Sequence, residues 1–551
     1  SGDNGIYNSV SKYAYPGFKR LMNLRLDYRH AFGSHNVNAM VGFEEEYSYS
    51  ENFYASRHTS LDISYLFAGL DNDKQKGSGG SPSDRASQAF IGRFAYDYQG
   101  KYMAEFTFRY DGSSRFPKES RWGFFPTGLV GWRISEESFI KENLSMVNNL
   151  KLRASYGIMG DDSSAGNYPP NIVGYNLAPS SLGWLFNGAY YGGVNPTAIP
   201  NLELTWYTSK MMNLGVDVET YNGLLGGSVE YFVRNREGLL ASSGTVLPGT
   251  VGADMPQKNL DSDRVFGYEI TLSHRNKIGD VRYFANAQMG TTRHMFLDRT
   301  ATKAGNSYDH WRNRYENRYD NIWWGTEYGG QYQSYEQIYN FPISAGSSTL
   351  PGDYYYKDWN GDGVVNGNDS HPIALTGMPW INYGFSLGAE WKGIDINANF
   401  QGSALVYVKY AEALVEPLSF GGAGTMSKFL DRWHPEDPNA DYWDPRTVWI
   451  KGEYPITGSG LADGTKAIED ASYLRLKTLE LGYNLPKKYL NILGVKGLRV
   501  YVSGYNVLTF TGLKHTDPEH PGSEGGASNE YVDTYKYPIN QSINVGASIK
   551  F

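Results

Sequence analysis

The acidic segment 358–369, Asp-Trp-Asn-Gly-Asp-Gly-Val-Val-Asn-Gly-Asn-Asp, has residue types and spacing suited to binding a cation. Oxygen ligands at loop positions 1, 3, 5 and 12, with glycine at position 6 and a backbone carbonyl at position 7, are typical of an EF-hand-type calcium loop. The predicted ligands are Asp358, Asn360, Asp362, Val364 and Asp369. The alternative is a turn held by its own Asn and Asp side chains. A calcium ion here would order the loop without taking part in chemistry.

A second candidate site is aromatic. Residues 307–341 are rich in Trp and Tyr, and Trp323 and Trp324 stand side by side. Flat aromatic faces beside polar groups suit small-molecule ligands, and sugar rings in particular. We therefore take Trp323 and Trp324 as candidate substrate-binding residues. For most of these rings, packing within the loop or against a partner subunit is the expected role.

No catalytic set emerges from the sequence. The carboxylate runs Glu44–Glu46 and Glu136–Glu137 are typical of a solvated surface. Neither a Gly-x-Ser-x-Gly nucleophile elbow nor a His-Glu-x-x-His zinc helix is present, and the ten His do not cluster at metal spacing. We therefore predict a protein that is not an enzyme, although surface glycosidases need no short motif.

Composition narrows the class of protein. The chain has 551 residues, with 45 Tyr, 25 Phe and 13 Trp, no Cys, a net charge of -8 and a mean hydropathy of -0.50. No apolar run reaches the roughly 18 residues of a transmembrane helix. The mild acidity argues against nucleic acid as a partner. Low mean hydropathy is still compatible with a spanning β-barrel, because there only every second residue is apolar.

The last strand shows this alternation. Ile543, Val545, Ile549 and Phe551 lie on one face, opposite polar or small residues such as Asn544. A strand of a soluble sandwich can look like this. A chain that stops on an aromatic after such a strand is more typical of the closing strand of an outer-membrane barrel, with one face on lipid and the other on the lumen.

The same pattern recurs in about fifteen segments, and the connections between them are sorted by length. Short turns such as Gly33–Asn36 alternate with segments that are nearly all long, such as the predicted loops 56–84, 161–202 and 297–379. This predicts an all-β, antiparallel transmembrane barrel with short periplasmic turns and long extracellular loops. Near Thr478 the alternation slips by one residue, which predicts a β-bulge.

Fifteen strands do not close a bacterial barrel, which normally has an even number. Strand edges left in lipid would also carry unsatisfied backbone groups. We therefore expect residues 1–551 to be the C-terminal part of one larger barrel domain.

Several local motifs resemble the SusC/RagA family of TonB-dependent outer-membrane transporters, in order and along essentially the whole chain. They lie at 109–126 (Arg-Tyr-Asp-Gly-Ser-Ser-Arg-Phe-Pro and onward), 131–137, 150–157, 200–206 (Pro-Asn-Leu-Glu-Leu-Thr-Trp), 358–363, 473–477 and 506–508. Each motif alone is weak, and together they are specific. Tyr207 departs from the family, which usually has Glu after this Trp.

The resemblance implies a 22-stranded barrel around a plug, in the outer membrane of a Gram-negative cell. It also implies import powered by the TonB complex, a SusD-like surface lipoprotein and a dimer of transporter–lipoprotein pairs. The plug, the N-terminal domains and the TonB-contacting segment would precede Ser1 and are absent from this chain. The implied cargo is a nutrient oligomer, with oligosaccharide favoured and peptide kept as an alternative. The alternatives are a passive porin or adhesin-type barrel, and a soluble carbohydrate-binding or hydrolysing β-protein.

Overall fold

The computed structural model describes most of the chain. The described residues are 8–59, 64–70, 76–165, 174–196, 199–242, 248, 255–300, 306–344, 349–375, 377–410, 416–418, 426–456, 464–514, 516–519, 531–532 and 539–551. One large antiparallel sheet contains most of the long strands.

We label sixteen strands of this sheet in chain order. They are β1 (Asn8–Ala14), β2 (Gly17–Phe32), β3 (His35–Thr59), β4 (Lys76–Tyr98), β5 (Tyr102–Ser113), β6 (Trp122–Arg133), β7 (Val147–Asp161), β8 (Tyr207–Thr220), β9 (Leu225–Ser242), β10 (Gln257–Ile278), β11 (Val281–Asp298), β12 (Ile381–Trp391), β13 (Ile394–Ala404), β14 (Tyr473–Asn484), β15 (Gly497–Thr511) and β16 (Ser542–Lys550). From β2 onward, each strand pairs antiparallel with the next.

The seventeen strands of the sheet occupy fifteen successive positions. Strands β1 and β2 lie end to end against β3, and the short strand Arg318–Tyr319 only extends the pairing at the loop end of β11. The all-β antiparallel prediction is confirmed. The number of strands in a complete barrel stays a prediction.

We call the large sheet the wall. Its side chains alternate between the two faces along each strand. Directly opposed residues on neighbouring strands share a face, as Leu214 does with Tyr231 and Val216 with Val229. These apolar side chains lie on the outer face, where Leu214, Val216 and Val229 are exposed. The polar residues between them form the inner face. Such a wall suits hydrocarbon on one side and water on the other.

The connections follow the predicted asymmetry. At one end, tight turns join the strands, and several need a left-handed residue, such as Gly33 at φ 62° and Gly393 at φ 90°. Two turns at this end contain the short helices Ser138–Asn143 and Lys487–Leu493. The other end carries the long loops.

Two segments predicted as loops are partly strand. Strands β3 and β4 stay paired from Arg57 and Lys76 inward, across much of the predicted loop 56–84. Within the predicted loop 161–202, Tyr175–Phe186 pairs with Ala189–Pro196 as a hairpin. The prediction missed both because neither pair of arms shows a sustained apolar alternation, and hydropathy cannot detect such a strand.

The long loops fold into an assembly with its own small cores. Its short strands are Arg318–Tyr319, Ile322–Gly325, Tyr328–Gln331, Ile343–Ser344, Tyr354–Tyr356, Val364–Val365, His371–Leu375, Tyr407–Tyr410, His434–Pro435, Trp449–Ile450, Ile468–Asp470 and Tyr531–Val532, and its α-helices are Ser307–Asn313 and Tyr335–Asn340. One buried cluster consists of Val406, Val408, Tyr410, Ala471 and Leu513. Across the residues that the structure describes, no helix is both long and apolar enough to cross a membrane.

The bulge predicted near Thr478 is present one residue earlier, at Lys477. The pairing of β14 with both β13 and β15 skips Lys477 between Leu476 and Thr478. The extra residue returns the leucines on both sides of it to the outer face.

Candidate functional site

The inner face of β2–β9 forms a charged sector. Four of its arginines each lie beside a carboxylate of the same or a neighbouring strand. The closest N–O distances are 2.6 Å for Arg25–Asp27, 2.7 Å for Arg93–Glu105, 2.8 Å for Arg109–Asp111 and 2.6 Å for Arg153–Glu230. Arg25 and Arg93 use two nitrogens each, a geometry that fixes the orientation of both side chains. These four arginines are therefore engaged in ion pairs within the wall.

Further round the wall, the middle of the inner face of β9–β13 carries many hydroxyls and amides, next to the carboxylates of Glu230 and Glu269. We call these residues the neutral strip: Ser228, Thr271, Ser273, Asn286, Gln288, Asn382, Ser386, Asn397, Asn399 and Gln401. A recess of about 600 Å³ lies against it, and Ser228, Asn286 and Ser386 are among the residues that line the recess. Charged residues return at its borders, where Glu219 and Arg275 lie at the edge of the recess.

Only some of the polar side chains of the neutral strip form hydrogen bonds with other protein groups. Ser228 Oγ and Thr271 Oγ1 lie 2.7 Å apart, and Asn399 Nδ2 donates to Thr478 Oγ1 at 2.6 Å. Within the described part of the chain, the side-chain amides of Asn286, Gln288, Asn397 and Gln401 make no hydrogen bond to protein. These amides are therefore open to a ligand or to water.

The acidic loop predicted to bind calcium is held by its own backbone amides. Asp358 Oδ1 accepts from the N–H groups of Gly361 at 2.7 Å and Asp362 at 3.2 Å, and Oδ2 accepts from Gly363 at 2.7 Å. Asp362 Oδ1 in turn accepts from the N–H of Val364 at 2.8 Å. These hydrogen bonds are the ones expected for the alternative interpretation, a turn held by its own Asn and Asp side chains.

Asp369, the predicted last ligand, is fully buried. Its Oδ1 accepts from the backbone N–H groups of Trp359 at 2.9 Å and Asn360 at 3.3 Å, and its Oδ2 accepts from Asn366 at 2.7 Å. No group of three His, Cys, Asp or Glu side chains among the described residues is arranged to hold a metal ion. The carboxylate oxygens keep free lone pairs, so calcium binding at this loop stays a prediction.

The two tryptophans proposed as substrate-binding residues lie in the loop assembly. Trp323 is 8% exposed, so its ring packs inside the loops, which is the alternative role named for it. Trp324 is half-buried, with the edge of Trp311 at 5.4 Å and the guanidinium of Arg318 at 4.5 Å from its ring centre. Of the two, only Trp324 keeps part of its surface accessible.

The aromatic segment and the acidic loop form one packed unit. The Trp359 ring of the acidic loop stacks between Trp311, at 5.7 Å, and His371, at 4.8 Å. Arg312 Nη1 also donates to the carbonyl of Gly367 at 2.6 Å. The packing of the aromatic segment against the acidic loop could not be predicted from the sequence, because the two segments are far apart along the chain and share no periodic pattern.

Two of the motifs that carry the family resemblance meet at the loop end of the wall. Phe116 from one and Leu204 from the other are buried together, with Trp206 packed against them. Ser120 Oγ donates to the carbonyl of Leu204 at 2.6 Å, and Trp206 Nε1 donates to that of Arg121 at 3.1 Å. These motif residues therefore stabilise the junction between strands.

The interior of the loop assembly raises the pKa of one aspartate, Asp353. Burial raises the pKa of Asp353 to about 6, the charge of Glu416 adds to the shift, and a hydrogen bond from the Leu350 N–H at 2.7 Å opposes it. Burial also raises the pKa of the neighbouring Tyr354. These groups lie away from the wall, and we assign them no chemistry.

The last loop is anchored to the wall by ion pairs. Arg475 Nη2 lies 2.8 Å from Asp517 Oδ1, and Glu519 Oε2 lies 3.1 Å from Arg475 Nη1 and 2.6 Å from Lys477 Nζ. Arg475 is buried, so removing both of its carboxylate partners, Asp517 and Glu519, would leave an unpaired charge away from water.

The residues assigned to the closing strand all point outward. Ile543, Val545, Ile549 and Phe551 are exposed, Val545 by 82%, whereas Asn544 lies on the inner face opposite Ser503. The outward direction agrees with a lipid-facing role. Their part in closing a barrel stays a prediction.

Comparison with known proteins gives a consistent set of relatives. No family model matches the chain. TonB-dependent receptor P3 of Formosa agariphila is 28% identical over 545 residues, covering 96% of this chain and 52% of the relative. TonB-dependent receptor SusC of Bacteroides thetaiotaomicron is 24% identical over 559 residues, covering 99% of this chain and 51% of the relative. The chain thus spans about half the length of the curated relatives it matches.

The fold is shared with a solved transporter. The RagAB peptide importer superposes with a TM-score of 0.71 at 22% identity, covering 98% of this chain and 56% of that one. At this identity the match shows the fold alone. Sequence motifs, wall and relatives agree, and the chain is similar to the SusC/RagA-type TonB-dependent receptors of the outer membrane.

Proposed function

We propose that this chain contributes the wall and extracellular loops of a receptor that imports a nutrient oligomer across the outer membrane with energy from the TonB complex. The observation that carries the proposal is the two-sided wall, which offers apolar side chains to lipid and a continuous polar face to the lumen. The receptor moves its cargo without changing it covalently, and it is not an enzyme.

We further propose that a SusD-like surface lipoprotein covers the loop assembly. Exposed apolar side chains cluster within one stretch of the loops, at Leu430, Trp443, Val448 and Ile450. Apolar surface above the membrane favours a protein partner, because water does not solvate it well. The transporter–lipoprotein pairs would form a dimer.

The proposed cargo is an oligosaccharide. The uncharged hydroxyls and amides of the neutral strip favour it, because they match the hydroxyl groups of sugars. Peptide is the second candidate, since the RagAB importer that shares this fold is described as a peptide importer.

The test of import uses cells that express the whole receptor with its lipoprotein. Uptake of a labelled mixture of neutral oligosaccharides and of a peptide digest would be measured with and without a functional TonB complex. We expect uptake of one class to stop without TonB. Uptake that continues unchanged indicates a passive porin, and surface binding without uptake indicates an adhesin.

For the acidic loop we propose a weak calcium site that orders residues 358–369. The support is the ligand spacing, together with the convergence of Asp358, Asn360 and Asp362 on one turn. Chelator should increase the protease sensitivity of this loop, and Asp358→Ala with Asp362→Ala should remove the difference. Equal cleavage of the unsubstituted receptor with calcium and with chelator rules the site out.

A further inference from the structure

One corner at the turn end of the wall carries a concentration of positive charge. The segment 485–497, which joins β14 to β15, has three lysines and no Asp or Glu, and the last residue of β16 is a fourth lysine. We call these residues the lysine patch: Lys487, Lys488, Lys496 and Lys550. The whole chain has a net charge of -8, so this local excess runs against its composition.

Backbone pairing brings the four lysines to the ends of three neighbouring strands. The N–H of Leu485 donates to the carbonyl of Leu498 at 2.9 Å, so the helix Lys487–Leu493 begins directly beside β15. After this helix, the N–H of Lys496 donates to the carbonyl of Lys550 at 2.7 Å. The pairing of β14, β15 and β16 therefore assembles the lysine patch at one place on the rim of the wall.

The lysine patch differs from other turns at the same end in having no acidic partner. Three lysines of those turns lie beside carboxylates, with closest N–O distances of 3.5 Å for Lys101–Glu137, 2.6 Å for Lys141–Glu136 and 3.7 Å for Lys392–Asp280. The four side chains of the patch are exposed, and within the described part of the chain none of them forms an ion pair. Their charge is therefore available to a partner outside the chain.

Aromatic side chains at this end mark where the hydrocarbon meets water. Trp391, Tyr483 and Phe551 point outward at the turn ends of β12, β14 and β16, and each is exposed. Such rings are typical of the interface between a membrane and water. Tyr489, within the helix that carries two lysines of the patch, is 52% exposed. The lysine patch therefore lies at the height of the lipid headgroups.

We propose that the lysine patch binds the anionic headgroups of phospholipids in the membrane leaflet on the turn side of the wall, the side predicted to face the periplasm. Lysines near an anionic membrane surface are attracted to it, and these four break no ion pair when they bind. Ile549 and Phe551, which point outward beside the patch, contact the acyl chains of the same lipids. The inference goes beyond import, because it concerns how the receptor is held in its membrane.

The test compares two variants of the whole receptor, each of which loses three positive charges at the turn end. The patch variant carries Lys487→Gln, Lys488→Gln and Lys496→Gln. The matched control removes lysines that are paired with carboxylates, by Lys101→Gln, Lys141→Gln and Lys392→Gln. Folding of both is checked by heat-modifiable migration in gels.

Each receptor is titrated in detergent with phosphatidylglycerol, which is anionic, and with phosphatidylcholine, which has no net charge. Native mass spectrometry counts the lipids of each kind that stay bound. We expect the unsubstituted receptor to prefer phosphatidylglycerol. The patch variant should lose about fivefold or more of this preference, and the control less than about twofold.

Each outcome decides a different point. An unsubstituted receptor without the preference, or a patch variant that keeps it, overturns the site. Equal losses in the two variants overturn it as well, because they assign the preference to net charge. A patch variant that keeps the lipid preference but loses TonB-dependent import indicates a protein partner at the patch. Failure of import in the unsubstituted receptor contradicts only the proposed function, since lipid binding is measured without transport.

Discussion

The wall and the loop assembly handle apolar residues in opposite ways. On the wall, Leu214 and Val545 are exposed on the outer face. In the loops, Phe429 and Trp433 are almost completely buried. The hydrophobic effect drives apolar surface away from water in both regions, but the wall meets hydrocarbon and the loops meet water. Burial alone therefore does not identify the residues that hold such a protein together.

The largest predicted effect is on the loop side. Trp433 is 1% exposed and packs directly on Gly352, where a Cβ would come within 2.4 Å of the ring. Trp433→Ala should lower the free energy of opening the loop assembly by about 3–5 kcal/mol because it leaves a cavity. Hydrogen exchange of the loops would measure this. Trp443→Ala, at a ring that is 54% exposed, is the control and should change it by less than about 0.5 kcal/mol. Equal effects would remove the contrast between the two rings.

The second prediction concerns the wall. Val545→Arg should destabilise the folded receptor by about 2–4 kcal/mol, because it places a cation in hydrocarbon. Asn544→Arg, the next residue along the chain, points to the inner face and should cost much less. Urea unfolding of the whole receptor in lipid vesicles measures both. A smaller loss for Val545→Arg than for Asn544→Arg would mean that the faces are reversed.

The third prediction is a pH dependence confined to the loops. The pKa of Asp353 is raised from 3.8 to about 6, so the folded loops bind a proton that the opened loops release. Stability from this group is therefore greatest below about pH 4 and is lost as the pH rises through 6. The loss is on the order of 2 kcal/mol. Hydrogen exchange at pH 5 and pH 7 should show it, and Asp353→Asn should reduce the difference. An unchanged difference in that variant assigns the effect to another group.

Much of the wall could be predicted from sequence, because the alternation of its side chains is a local property of each strand. A period of two residues fixes which face each side chain takes, and the position of short turns fixes which end is which. Even the bulge at Lys477 was visible as a slip in the alternation. The strand ends were less clear, since the arms of β3 and β4 beyond the membrane are rich in Ser and Gly and show no apolar period.

The loop assembly could not be predicted in the same way. Stacking of Trp359 on Trp311 joins segments that are distant in the chain, and no repeating pattern connects them. Burial of Trp323 likewise depends on pairing with His371–Leu375. The neutral strip lies between these cases. Its uncharged polar positions, such as Asn397 and Asn399, can be read from the sequence, but their alignment with Asn286 needs the register of three strands.

The bulge at Lys477 has a mechanical consequence. By adding one residue to β14, it lets two cations, Arg475 and Lys477, form ion pairs with a single carboxylate, that of Glu519. One irregularity in a strand thus fixes residues 516–519 of the last loop to β14 through ion pairs.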